Sequence, residues 1–91
     1  LISIIISSKS ENLLHEVCYN LLERFPRYND VKILGPAPAP LSFLRGRYRN
    51  RFLIKSPKNT FSQDIVKSWI ENTKIPKQIR ISIDVDPYTF S

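Results

Sequence analysis

Tyr48-Arg49-Asn50-Arg51-Phe52-Leu53-Ile54-Lys55 reads as a strand with two unlike faces. In an extended chain, successive side chains point to opposite sides. Tyr48, Phe52 and Ile54 therefore share one side, and Arg47, Arg49, Arg51 and Lys55 share the other. The apolar side must be covered to leave water. A sheet built on this strand is expected to carry helices on one face and leave the other open, lined by cations.

The flanking segments supply the cover. Upstream, Gly35-Pro36-Ala37-Pro38-Ala39-Pro40 alternates prolines, which lack amide donors and favour extended backbone. It is read as a stiff connector after a short strand, Val31 to Leu34. Before that, Leu14, Val17, Cys18, Leu21, Leu22 and Phe25 recur at three- and four-residue spacing, one apolar face of a helix that Pro26 stops. Ser8-Lys9-Ser10-Glu11 matches a capping box, with Ser8 and Glu11 expected to satisfy the free amides at the helix start. Leu1 to Ser7 is a β-branched strand.

Downstream, Thr60 and Gln63 repeat the capping spacing, and Phe61, Ile65, Val66, Trp69 and Ile70 share a helical face. Trp69 on that face reads as core rather than as a stacking platform. Pro76 marks a break. Gln78 to Asp86 then alternates strictly, with Ile79, Ile81, Ile83 and Val85 expected inward and Arg80, Ser82, Asp84 and Asp86 outward. Strand, helix, strand, strand, helix, strand predicts an α+β, ferredoxin-like βαββαβ sandwich: a four-stranded sheet with two helices on one face.

Composition bounds the rest. The 91 residues suffice for one domain, and 42% hydrophobic content argues against disorder. No run is long enough to span a bilayer. The chain starts at Leu1 and has no Met, so a piece of a longer protein is expected. Cys18 stands alone, and with only His15 near it no zinc site can form. The pair reads as a core thiol with a histidine as helical neighbour rather than a nucleophile and its base. A reducing, cytoplasmic setting is the natural expectation. The net charge of +6 favours anionic partners.

Two motifs carry a resemblance. Leu34-Gly35-Pro36-Ala37-Pro38-Ala39-Pro40, followed by Leu44-Arg45-Gly46-Arg47-Tyr48-Arg49, resembles the signature near the C-terminus of the PriA family, the primosomal protein N′ helicases. Ile83-Asp84-Val85-Asp86-Pro87 resembles the element that closes the same proteins. The resemblance covers essentially the whole chain. It implies a fold like ribosomal protein S10. It also implies a parent that unwinds DNA 3′-to-5′ with ATP and magnesium, binds zinc, and acts in replication restart with other primosome proteins. This chain is then a noncatalytic C-terminal domain. Its implied contacts are single-stranded or forked DNA and the acidic tail of the single-stranded-DNA-binding protein. One departure concerns Asn50, where the family often has a bulky residue, so the core side of this strand is expected to be looser.

The candidate DNA-binding residues are Arg45, Arg47, Arg49, Arg51 and Lys55. They lie in a segment, Val31 to Gln63, that holds no acidic residue. Arginines two apart on a strand stand about 7 Å from each other, near the phosphate spacing of a single strand. Because outward positions tolerate polar residues, serine at positions 47, 49 and 51 is expected to leave the fold intact. Three readings of this face stay open: nucleic-acid contact, docking within the parent, and solvation or pairing with Asp84 and Asp86 across Ser3 and Ser7. Base stacking on strand-three aromatics is disfavoured, since Tyr48 and Phe52 point inward. Asp84 and Asp86 read as ion-pair partners rather than metal ligands, with no third ligand beside them. An S10-like RNA-binding protein is a further alternative, as is a purely architectural module. Lys58, just before the second helix start where free amides favour carboxylates, is the candidate partner-binding residue for the acidic tail, with Lys55 and Phe61 near it.

Overall fold

The computed structural model describes residues 1–57 and 62–85. The elements follow the expected order: β1 (Ile2–Ser8), α1 (Glu11–Arg24), β2 (Lys32–Leu44), β3 (Arg47–Lys55), α2 (Ser62–Glu71) and β4 (Arg80–Val85). The strands form one antiparallel sheet in the order β2-β3-β1-β4. This is the α+β, ferredoxin-like arrangement predicted from the pattern. Among the described residues no helix is long and apolar enough to cross a membrane.

Register places the core. Ile4 lies opposite Phe52 on one side and Ile83 on the other, and Ile2 lies opposite Ile54 and Val85. Ile2, Ile4, Ile6, Phe52 and Ile54 are buried against Leu14, Val17, Cys18 and Leu21 of α1 and Ile65, Val66 and Trp69 of α2. Trp69 joins the helices: its ring meets Phe25 and Phe52 edge-on, with centroids 4.9 and 5.7 Å away, and its Nε1–H donates to the Leu21 carbonyl at 2.8 Å. Leu22, expected on the apolar face, is 39% exposed at the margin of α1.

Three local readings need correction. The proline segment is not a connector but part of β2, which runs from Lys32 to Leu44. β2 is an edge strand, so missing amide donors deprive no further strand of a partner. The prolines interrupt its register between Leu34 and Ala37 and again between Pro38 and Phe43, and the Gly35–Pro36 bond is cis. The cap of α1 is Ser10, whose hydroxyl accepts from the Leu13 amide at 3.2 Å. Ser8 instead ends β1, fully buried, and its hydroxyl accepts from the Ser10 amide at 3.0 Å. Pairing with β3 continues through Ser8, and this keeps the helix from starting earlier. Finally, Ile83 and Val85 share the core side by register yet are 49% and 41% exposed. They lie on the other edge strand, with β1 on one flank only.

Gly35 has φ +107°, and a Cβ there would stand 2.6 Å from the Arg51 carbonyl oxygen of β3. Gly35→Ala is expected to destabilise the chain by about 1–3 kcal/mol, read as a lower urea midpoint with unchanged slope. The stiff connector reading gave this glycine no role. At Asn50 the side-chain amide donates to the Cys18 thiol at 3.7 Å, so a polar contact occupies the core side of β3 there. Burial raises the Cys18 pKa, against a lowering contribution from Asn50. The thiol is therefore mostly protonated and inert at neutral pH.

Candidate nucleic-acid interface

The open face of the sheet is a grid set by register. One row runs Ala37, Arg51, Ile5, Ser82 across the four strands, and the next runs Leu34, Leu53, Ser3, Asp84. Lys55 pairs with Lys32 at the β2 edge, and both are exposed. At the other end, Arg49 and Arg80 flank Ser7. Asp84 thus shares a row with Leu53, not with a β3 arginine. Asp86 lies outside the described residues, as do Lys58, Thr60, Phe61 and Pro87.

The five sequence candidates have unlike environments. Arg51 is half-buried, with Ala37 and Ser82 at the ends of its row and Ile5 beside it. Lys55 is exposed. Arg49 turns back on the proline stretch, where its Nη1 donates to the Pro40 and Leu41 carbonyls at 3.0 and 2.9 Å. That contact holds β2 where its own ladder is broken and where Leu41 has φ 56°. Arg45 and Gly46 form the hairpin tip with φ 53° and 78°, as a two-residue turn with both central residues left-handed requires. Arg45 is exposed there. Leu41, Phe43 and Leu44 add exposed apolar surface beside it, with Phe43 edge-on to Tyr48 at 4.9 Å.

Arg47 differs most from its reading. It is only 9% exposed. Its Nε donates to the Ser7 hydroxyl at 3.1 Å, and its Nη2 donates to the Ser7 and Gln78 carbonyls at 2.9 and 2.8 Å. The guanidinium is a clamp between the end of β1 and the approach to β4 rather than a cation on the open face.

The clamp forms the wall of a cleft that the sequence reading missed. Its volume is about 460 Å³, and its lining includes Lys9, Lys77 and Arg80 with Arg47. Lys9 and Lys77 are 68 positions apart, and only the β3-β1-β4 strand order brings them together. A signal was present in the alternation that put Arg80 outward, since an antiparallel partner starts where its neighbour ends. His15 is exposed and Cys18 buried, so they form no nucleophile-base pair.

The ATP, magnesium and zinc implied for a longer parent find no ligand set here. Among the described residues no group of three or more His, Cys, Asp or Glu could hold a metal ion. The sequence has two glycines, Gly35 and Gly46, and no phosphate loop can be built on that spacing. No step is assigned to those groups in this chain.

Known proteins resemble the chain over nearly its whole length. Residues 1–88 match the family described as primosomal protein N C-terminal domain. The chain is 43% identical to replication restart protein PriA of Rickettsia typhi over 88 residues, and 41% identical to that of Rickettsia prowazekii. Each alignment covers 97% of the chain and 13% of the relative. The PriA of Bacillus subtilis is 37% identical over 62 residues, 65% of the chain and 8% of the relative. The chain spans about 13% of the length of the first two relatives.

Proposed function

The chain belongs to the primosomal protein N C-terminal domain family, and on that premise we propose that it is a noncatalytic, DNA-contacting domain of a longer 3′-to-5′ ATP-dependent helicase acting in replication restart in the cytoplasm. The observation that carries the DNA contact is the basic open side of β3. Arg51 and Lys55 project from it beside Lys32, within a segment free of carboxylates. Arginine binds phosphate through a planar fork and lysine as a point charge, so together they hold a strand without reading its sequence. The partners on this reading are single-stranded or forked DNA, the acidic tail of the single-stranded-DNA-binding protein, and other primosome proteins.

The test is an anisotropy titration of the chain with short single strands of unrelated sequence. Affinity should be weak, alike for all sequences, and fall with salt at a log–log slope of roughly −0.7 per phosphate contact. Arg51→Glu with Lys55→Glu should weaken binding about tenfold or more at low salt and flatten the slope by about two contacts. Equal affinity in the double variant would remove β3 from the interface.

A second reading has its own observation. Leu34 is 48% exposed beside the half-buried Leu53, in the row next to Ile5. Apolar side chains at the centre of a basic face suit docking on the rest of the parent. Under that reading, Leu34→Asp leaves strand affinity unchanged in the isolated chain and loosens the domain in the full-length protein, seen as faster proteolysis at its boundary.

A further inference from the structure

Lys9, Arg47, Lys77 and Arg80 line one cleft, and no carboxylate is among its lining residues. We propose that this cleft is a binding site for a phosphate group, at the end of the sheet and apart from the open face of β3.

The case begins with Arg47. A lone exposed arginine is mobile, and holding it still costs entropy on binding. Here the cost has been met in folding. Nε and Nη2 are held by Ser7 and Gln78, so the plane of the guanidinium is fixed. Among the described residues Nη1 has no partner of its own, and no buried side-chain nitrogen or oxygen lacks one. Nη1 therefore reaches solvent, and the cleft is the space that Arg47 lines.

Other donors converge from separate elements. The exposed Ser10 hydroxyl lines the cleft with its oxygen accepting from the Leu13 amide, so its proton remains to be donated. The N-terminus of the 14-residue α1 adds its positive dipole end. Lys9, Lys77 and Arg80 are exposed and carry mobile charges at the rim. A carboxylate offers two oxygens and one charge. A phosphate offers three or four oxygens and up to two charges, which suits this number and spread of donors. The volume, about 460 Å³, exceeds that of a single anion and admits an attached sugar against Leu13.

Assignment of the phosphate to a nucleic-acid strand rests on the function proposed above, whereas the anion site itself does not. The experiment separates the two. Inorganic phosphate is titrated into the ¹⁵N-labelled chain at constant ionic strength, with chloride as the control. Saturable shifts are expected at the Lys9 to Leu13 amides and at the Arg47 Nε–H. Lys9→Glu with Lys77→Glu should weaken binding about tenfold or more. Both side chains are exposed, so melting should be unchanged, and Lys9→Ala with Lys77→Ala should act in the same direction. Shifts that fail to saturate, or that chloride reproduces, overturn the proposal. Two oligonucleotides of one sequence, with 5′-phosphate or 5′-hydroxyl, then compete for the site. Preference for the first assigns a strand end, and equal competition assigns an internal phosphodiester. Phosphate binding that neither oligonucleotide displaces leaves the cleft an anion site and sinks its assignment to nucleic acid.

Discussion

Trp69→Ala is expected to bring the chain close to global unfolding, with a loss of about 3–5 kcal/mol. A chain of this size has a total stability of roughly 5–14 kcal/mol. Trp69 is 2% exposed and touches aromatic rings from both other layers of its contact: Phe25 at the end of α1 and Phe52 in β3. Alanine would leave a cavity between the helices and the sheet. It would also leave the Leu21 carbonyl without the indole N–H that it accepts at 2.8 Å. Both losses fall on one site and cannot be relieved by a shift of α2 alone, because the ring is gripped from two directions. Urea unfolding followed by circular dichroism measures the effect. Trp69→Phe serves as the graded control, since it keeps an aromatic ring and loses the donor, and about 1–2 kcal/mol is expected for it. A midpoint for Trp69→Ala within about 1 kcal/mol of the parent chain would show that the indole does not tie the layers together.

Arg47→Ala should cost about 2–4 kcal/mol, although the residue sits on the cation-bearing side of a strand. The guanidinium donates three hydrogen bonds, two of them to the main-chain carbonyls of Ser7 and Gln78. Removing it strands those acceptors in a place that water reaches poorly, given 9% exposure. Melting should fall by roughly 10–25 °C for a domain of this length. Arg47→Lys should recover less than half of the loss, since a single ammonium cannot reach Ser7 and Gln78 in one plane. Serine at positions 47, 49 and 51 together is accordingly expected to compromise the fold, against the sequence-based expectation. A DNA-binding deficit in that triple variant would be uninterpretable without a stability measurement. Among the described residues Arg51 and Lys55 carry no comparable internal bond, and they are the cleaner probes. If Arg47→Ala melts like the parent chain, the clamp contributes nothing net.

The same contrast shows how the sequence is legible. Tyr48 to Lys55 reads as a two-faced strand because period-two alternation is a local property, and burial of Phe52 and Ile54 follows from it directly. The apolar face of α1 follows from spacing in the same way, apart from Leu22 at its margin. The β2 edge does not, because a proline-rich stretch reads as non-strand unless its place at the rim of the sheet is known. The capping residue of α1 was displaced by two positions for a similar reason. Ser8 and Ser10 are equivalent by composition, and pairing of Ser8 with Tyr48 assigns the first to the strand.

The sequence by itself determined the element order, the apolar faces, the basic balance and the family resemblance, because each is written in residues near one another along the chain. Tertiary structure alone decided the fate of each cation. Arg47 became a clamp, Arg49 a prop for the broken β2 ladder, and Arg51 and Lys55 remained on the face. It also decided that Lys9, Lys77 and Arg80 meet around Arg47. The physical reason is that alternation fixes the side of a sheet to which a residue points. What it meets there depends on which strand ends lie beside it, and in a β2-β3-β1-β4 sheet those ends come from distant parts of the chain.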